Sequence, residues 1–310
     1  MAGNVSGTEP APTHAQTAAS AAAEAPAPST AQSAEAVSLG AAAQASSENF
    51  PVAMRILPAR HRRHLMALYG FARLTDDIGD EIASDERMRL LDELEADVDR
   101  IYDGATPQLA AMRELALTVA ECHVPAEPLR DLIQANRQDQ LVTRYETFED
   151  LVGYCRLSAN PIGRVVLHIF GAATPAREQL SDSICTALQL AEHWQDVAED
   201  FGKGRIYLPR ADREKFGVTE QDLAAPVTAQ PVRALIAYEV ARASARLDEG
   251  APLVGTLRGF GRLAVAGYLA GGRAALAAIT GSGHDVLAVT PHPDKRVTAR
   301  LAIQAYLRGR

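Results

Sequence analysis

The sequence predicts an all-α protein, one helical bundle around a central cavity, and three observations lead there. Apolar residues recur every three or four positions from Pro58 onward, the period of a helix with one buried face. No run alternates with period two for long enough to make a strand. Two Asp-x-x-x-Asp steps, Asp76/Asp80 and Asp196/Asp200, each set two carboxylates one helical turn apart, about 120 residues from each other.

The bulk numbers agree with a soluble enzyme. Apolar residues make up 47% of 310, enough for a sizeable core, and aromatic residues only 5%. A net charge of −8 and a pI near 5.5 argue against a nucleic-acid binder, which would carry a basic stripe. Lys203, Lys215 and Lys295 are the only lysines. A genomic Arg and Ala bias explains the arginine excess better than phosphate recognition does. Cys122, Cys155 and Cys185 lack metal-type spacing and are odd in number, so they read as cytosolic thiols. No stretch is charge-free and apolar for the eighteen residues a membrane span needs; the best, Pro252 to Thr280, is interrupted by Arg258, Arg262 and Arg273. A cytoplasmic chain, at most peripheral to the inner face of a membrane, is expected.

Along the chain, residues 1–45 are built mainly from Ala, Pro, Ser, Thr, Gln and Glu with no Lys or Arg, a composition expected to be disordered and unlike a targeting peptide. Residues 46–310 form the all-α domain. Leu65, Leu68, Tyr69 and Ala72 lie at helical spacing and lead into Asp76. Ser84-Asp85-Glu86 starts a second helix running through Leu90, Leu91, Leu94 and Val98 to Gly104. Pro107 opens a third, and Pro125 and Pro128 mark the entry to a fourth through Leu129, Leu132 and Ile133. Thr147 begins a fifth, which Pro161 should kink or break. A sixth spans Arg177 to Asp200 and carries the second acidic pair. Gly202-Lys203-Gly204 ends it, Arg205 to Pro209 is an extended linker, and further helices cover roughly 231–249, 255–280 and 294–308.

The acids carry the chemistry. Asp76 and Asp80 continue the stripe of Leu65, Leu68, Tyr69 and Ala72, which puts them on the buried side. Unpaired carboxylates there are very unfavourable, so a cation or an arginine is required. Arg73, one turn earlier, is either that partner or a phosphate ligand. In the second motif Gln189, Glu192, Asp196 and Asp200 fall at steps of three, four and four. Hard oxygen donors in that register suit Mg²⁺, with water and phosphate completing the shell. His193 reads as a satisfied core histidine, and the His61/His64 cluster with Arg60, Arg62 and Arg63 as a solvated helix start. No GxGxxG or P-loop pattern suggests a nucleotide cofactor.

The paired acids, the lead-in LYGFARLTDD, the stretch YCRLSANPIG and the block QDVAEDFGKGRIYLP resemble the squalene/phytoene synthase family over residues 46–282. ENFPVAMRILP and WQDVAED are most similar to its bacterial hydroxysqualene synthase branch in hopanoid biosynthesis. The resemblance implies an isoprenoid-synthase fold with Mg²⁺ on a diphosphate, held by Asp76, Asp80, Asp196 and Asp200, with Glu192 beside them. It implies Arg73 and Tyr69 near the diphosphate and Gln189 on the substrate. Phe50 and Tyr154 would line the cavity, and Arg205 with Tyr207 would sit in the block closing it. The reaction implied is ionisation of presqualene diphosphate and capture of the cation by water, without a hydride donor. Phe50, Tyr69, Phe71, Tyr154 and Trp194 are then the rings available to face a carbocation. Two departures stand out: Glu192 where asparagine is usual, and Glu48 where some relatives have a basic residue. The rival readings are head-to-head coupling of prenyl diphosphates and, in another class, a non-catalytic assembly factor. An apolar product fits peripheral membrane contact, for which the sequence offers Arg258 and Arg262, and partnership with other squalene-pathway enzymes.

Overall fold

The computed structural model describes residues 56–310. Phe50, Glu48 and the 1–45 segment lie outside the described residues. The rest is helical: α1 (Ala59–Asp80), α2 (Ser84–Tyr102), α3 (Ala110–Cys122), α4 (Glu127–Asp139), α5 (Phe148–Ser158), α6 (Asn160–Ile169), α7 (Pro175–Gln195), α8 (Val197–Gly202), α9 (Arg210–Phe216), α10 (Glu220–Leu223), α11 (Gln230–Gly250), α12 (Leu253–Thr256), α13 (Gly259–Gly281) and α14 (Lys295–Arg308). Among the described residues the single β-type pairing is an isolated parallel bridge between Arg144 and Ile206. That bridge lies in the extended linker after the second motif, where Ile206 N–H donates to the Thr143 carbonyl at 2.9 Å.

Local chemistry sets most boundaries. Thr147 caps α5 in a reciprocal box with Asp150, an arrangement typically contributing about 1 kcal/mol. The break expected at Pro161 falls at Ala159, and Pro161 sits in the first turn of α6, where a missing N–H is harmless. Pro107 precedes its helix rather than opening it, since α3 begins at Ala110. The expected continuous helix from Arg177 to Asp200 is corrected: the chain breaks at Asp196 (φ −103°, ψ 18°), which ends α7 and precedes α8. The short helices α9 and α10 were not legible in the sequence.

The interior is divided. One hydrophobic core gathers α1 to α4 and α6 around Leu65, Phe71, Leu91 and Ile133. The other gathers α5, α7 and the helices from α11 onward around Leu190, Trp194, Val232 and Leu269. Helix α7 packs against α11 and α6, and α13 against α14. Close approach of α11 to α7 depends on Gly250, where an added Cβ would lie 2.6 Å from the Leu180 carbonyl oxygen. Helix α13 amends the expectation that no segment could span a membrane, because its 23 residues are long and apolar enough by length and composition. It serves here as a core helix: 67% of its apolar window is buried, with Ala264, Ala266, Leu269 and Ala270 fully covered.

Candidate active site

Between the two cores lies a cavity of about 390 Å³. Leu65, Leu68 and Val166 line it from one side; Ile184, Leu188 and Val265 from the other. Of the expected site residues, Tyr69, Arg73, Asp76, Gln189 and Glu192 stand in its wall. Its polar end is therefore built from the last turns of α1 and α7, and the remainder is apolar.

Asp76 and Asp80 do not lie on the buried side, as the stripe implied. Both are solvent-accessible, and the covered acid is Asp77, 6% exposed. Arg73 resolves its alternatives partly: its guanidinium meets Asp77 at 2.6 Å while Arg73 also lines the cavity. Its Nε is buried without a hydrogen-bond partner in the described structure. Solvent reaches Asp76 through the cavity, yet protein walls it in. Burial pushes its pKa up to about 7 against the Asn136 amide, which donates to Oδ1 at 3.1 Å; nearby Asp80 adds to the rise. Asn136 reaches Asp76 because residue 79 is glycine: a Cβ there would lie 2.2 Å from the Asn136 Oδ1.

One ion pair ties the two acidic motifs together. Arg205, five residues past Asp200, donates to Asp80 Oδ1 at 2.6 Å across 125 positions of sequence. Lys203 feels the charges of both Asp80 and Asp200. Burial pushes Asp200 up to about 7, Asp196 adds to the rise, and Lys203 and Arg205 oppose it. Asp196 is raised as well, first by burial and then by Glu199.

Under this pair sits an aromatic cluster. Tyr207 stacks on His193 with centroids 3.6 Å apart, and Tyr145 and Tyr154 flank Tyr207. His193 is buried, as expected, but it also contacts the motif: its Nδ1 lies 4.0 Å from Asp200 Oδ2 and its Nε2 3.4 Å from the Gln189 amide nitrogen. Burial, then the Arg205 charge, pushes it down to about 3, so the imidazole is neutral. Tyr154 is 6% exposed and stands behind the cavity wall, donating to Asp139 Oδ2 at 2.7 Å. Phe71 and Trp194 are fully buried core residues, so, against expectation, neither ring faces the cavity.

Residues 43–302 match the squalene/phytoene synthase family. The chain belongs to that family. A hydroxysqualene synthase of Rhodopseudomonas palustris is 34% identical over 216 residues, covering 69% of this chain and 72% of that protein. A presqualene diphosphate synthase of Zymomonas mobilis is 34% identical over 179 residues, 56% and 60% of the two chains. Among solved structures, squalene synthase HpnC from Alicyclobacillus acidocaldarius is 43% identical with a TM-score of 0.72, covering 83% of this chain and 97% of that one. Squalene/phytoene synthases are enzymes acting on isoprenoid diphosphates.

Three site groups escaped the sequence. Asp139, at the end of α4, is pushed up to about 6 by burial, with the Tyr154 hydroxyl and Arg205 opposing the rise. Asn136 and Asp139 are three apart, a helical step, but nothing in the sequence connects them to α1. Tyr268 is, with Tyr69, a second ring in the cavity wall. An isolated tyrosine in the Ala- and Gly-rich run of α13 was the available signal. Ser158, Ser181 and Cys185 also line the cavity, and the Ser158 hydroxyl is buried without a partner. As donors for a hard cation the site offers Asp76, Asp80, Glu192, Asp196 and Asp200, but no three His, Cys, Asp or Glu side chains among the described residues converge into one closed cluster.

Proposed function

We propose that this family member converts presqualene diphosphate to hydroxysqualene in a Mg²⁺-dependent reaction. The observation that carries the reading is the cavity itself: an apolar chamber of about 390 Å³ whose polar end holds Arg73 with Asp76, Gln189 and Glu192. Likeness to hydroxysqualene synthase of Rhodopseudomonas palustris supports the product assignment.

The donor set fits Mg²⁺. Asp76 and Asp200, both pushed up to about 7 by burial and by neighbouring acids, are relieved by a cation. Mg²⁺ keeps several waters and needs only one or two carboxylates per ion beside substrate phosphates, so a closed protein cage is not required. Asp76 and Asp80 would hold it from one motif, Asp196 and Asp200 from the other, with Glu192 in reach of the cavity. When bound, Mg²⁺ neutralises charge on the departing diphosphate.

The chain's own residues do the rest. Arg73 offers the diphosphate a guanidinium already oriented by Asp77. The C–O bond to the diphosphate breaks with its electron pair leaving on oxygen. The resulting cation rearranges between apolar walls faced by the rings of Tyr69 and Tyr268. Water then adds through oxygen and loses one proton, giving the alcohol. Tyr268, Ser181 and Ser158 are the polar groups in the wall able to hold that water.

Likeness to presqualene diphosphate synthase of Zymomonas mobilis favours a second reading, head-to-head coupling. The two separate by supply: the isolated protein is incubated with Mg²⁺ and either presqualene diphosphate or farnesyl diphosphate, with and without NADPH. Hydroxysqualene from presqualene diphosphate alone, NADPH making no difference, is the expected result. Consumption of farnesyl diphosphate overturns it. Unchanged cellular hopanoid output after Asp76→Ala and Asp196→Ala would favour an assembly factor instead.

A further inference from the structure

Most basic side chains among the described residues are occupied. Among the described residues, the arginines before residue 200 other than Arg156 pair with carboxylates or backbone carbonyls, as Arg63 does with Glu121 and Arg137 with Asp92. Among the described residues the lysines and arginines with neither an acidic partner, a hydrogen bond nor an aromatic contact are Arg156, Arg258, Lys295, Arg296, Arg300, Arg308 and Arg310. All but Arg156 fall after residue 257, and most lie on or beside α14. Residues 258–310 carry eight basic side chains and two aspartates in a chain whose net charge is −8. Of those aspartates, Asp285 is spent on Arg233 and Asp294 caps α14.

The same helix exposes apolar residues. Ile303 is 62% exposed and Leu307 74%. They fall on one face with Arg296 and Arg300, at steps of four, three and four. The opposite face seats α14 on the body through buried Ala305, and Arg262 of α13 donates to the Tyr306 carbonyl. The outward stripe is therefore an aliphatic pair preceded by two arginines, with no Asp or Glu side chain on it.

We propose that this face of α14 docks the protein on an anionic lipid bilayer. The charge complementarity is direct: unpaired arginines at headgroup level and two aliphatic side chains entering the acyl boundary are what an interfacial helix presents. A second copy is disfavoured as occupant, because a two-fold contact would set Arg300 and its neighbours against their own copies. The end of α14 rests on α12, where a Cβ at Gly255 would lie 2.8 Å from the Gly309 carbonyl oxygen, and Leu253 of α12 lines the cavity. Arg262, offered by the sequence as a contact, is instead engaged in holding α14. This inference does not depend on the reading of the cavity.

The test is sedimentation of the full chain with vesicles of phosphatidylcholine alone or with about one third phosphatidylglycerol. Binding to the anionic vesicles, little to the neutral ones, and release at about 0.5 M salt are expected. Arg296→Gln with Arg300→Gln should weaken partitioning about 25-fold, at roughly fivefold per arginine. Ile303→Ser with Leu307→Ser should weaken it about tenfold or more at either salt concentration. Arg156→Gln, an unpaired arginine on another helix, should leave it unchanged. These positions are exposed, and an unaltered thermal transition confirms folding of each variant. Equal binding to both vesicles, wild-type binding by either double variant, or loss of binding on Arg156→Gln overturns the proposal. So does a Leu307→Ser variant that dissociates a dimer while keeping vesicle binding.

Discussion

Gly79→Ala is the substitution whose sign the structure fixes most sharply. Residue 79 lies in the last turn of α1, where alanine is intrinsically better than glycine by up to about 1 kcal/mol. The new Cβ, however, would lie 2.2 Å from Asn136 Oδ1 and 3.1 Å from its Cγ. Asn136 must move, at an overpacking cost of about 1–3 kcal/mol. Asp76 then loses its 3.1 Å donor, and a hydrogen bond to a charged group is typically worth about 1.5–3 kcal/mol. The net expectation is a loss of about 2–4 kcal/mol, set against the propensity gain. The assay is urea denaturation read as a shift in midpoint at constant slope. In an Asn136→Ala background the nearest remaining atom is Cβ at 3.5 Å, an ordinary contact, so the same substitution should become neutral or mildly stabilising. A double-mutant cycle measures that reversal. Equal destabilisation in both backgrounds would refute the reasoning, since the cost would then not come from Asn136.

Other outcomes follow from the same site. Asp76 and Asp200 hold raised pKa values of about 7, so the folded chain binds protons that the unfolded chain has lost. Without Mg²⁺, stability should therefore rise as pH falls from about 8 toward 5; a melting temperature that drops over that range contradicts it. Mg²⁺ and a diphosphate together should release protons near neutral pH and none near pH 9, measured by calorimetry in buffers of different ionisation enthalpy; no buffer dependence counts against metal binding at these acids. Arg205→Met should cut turnover about 100-fold or more while leaving far-ultraviolet circular dichroism intact, because the motif-to-motif tie at Asp80 is lost; wild-type turnover would show the tie to be idle. Tyr268→Phe with Ser181→Ala should shift product from alcohol toward hydrocarbon at similar substrate consumption, and an unchanged product ratio removes these groups from water capture.

The helical period made the fold readable, because each apolar stripe needs a partner and a chain this rich in stripes has few alternatives. The same logic misplaced the acids. Asp76 and Asp80 do follow the stripe of Leu65 and Leu68, but the stripe itself turns from core to cavity wall along α1, so its end is wet. Periodicity reports a face and says nothing about whether that face meets protein or a hollow. Asp139 and Asn136 stayed invisible because their partners, Tyr154 and Asp76, lie on other helices. The break at Asp196 left no proline or glycine mark, so the sixth helix read as continuous. Where the chemistry is local, as in the Thr147 cap or the Pro161 break, the sequence carried it to within two residues.

The division of the interior into two cores has a consequence for cooperativity. Helices α1 to α4 and the helices from α11 onward share little apolar contact except around the chamber that separates them. An apolar ligand filling that chamber would touch both walls at once and act as a temporary third layer of the protein. Amide exchange should then slow on both sides together when the chamber is full, and the two halves should open separately when it is empty. Letting go of a product would mean surrendering that shared layer, so the rate of release and the looseness of the empty protein become two readings of a single property.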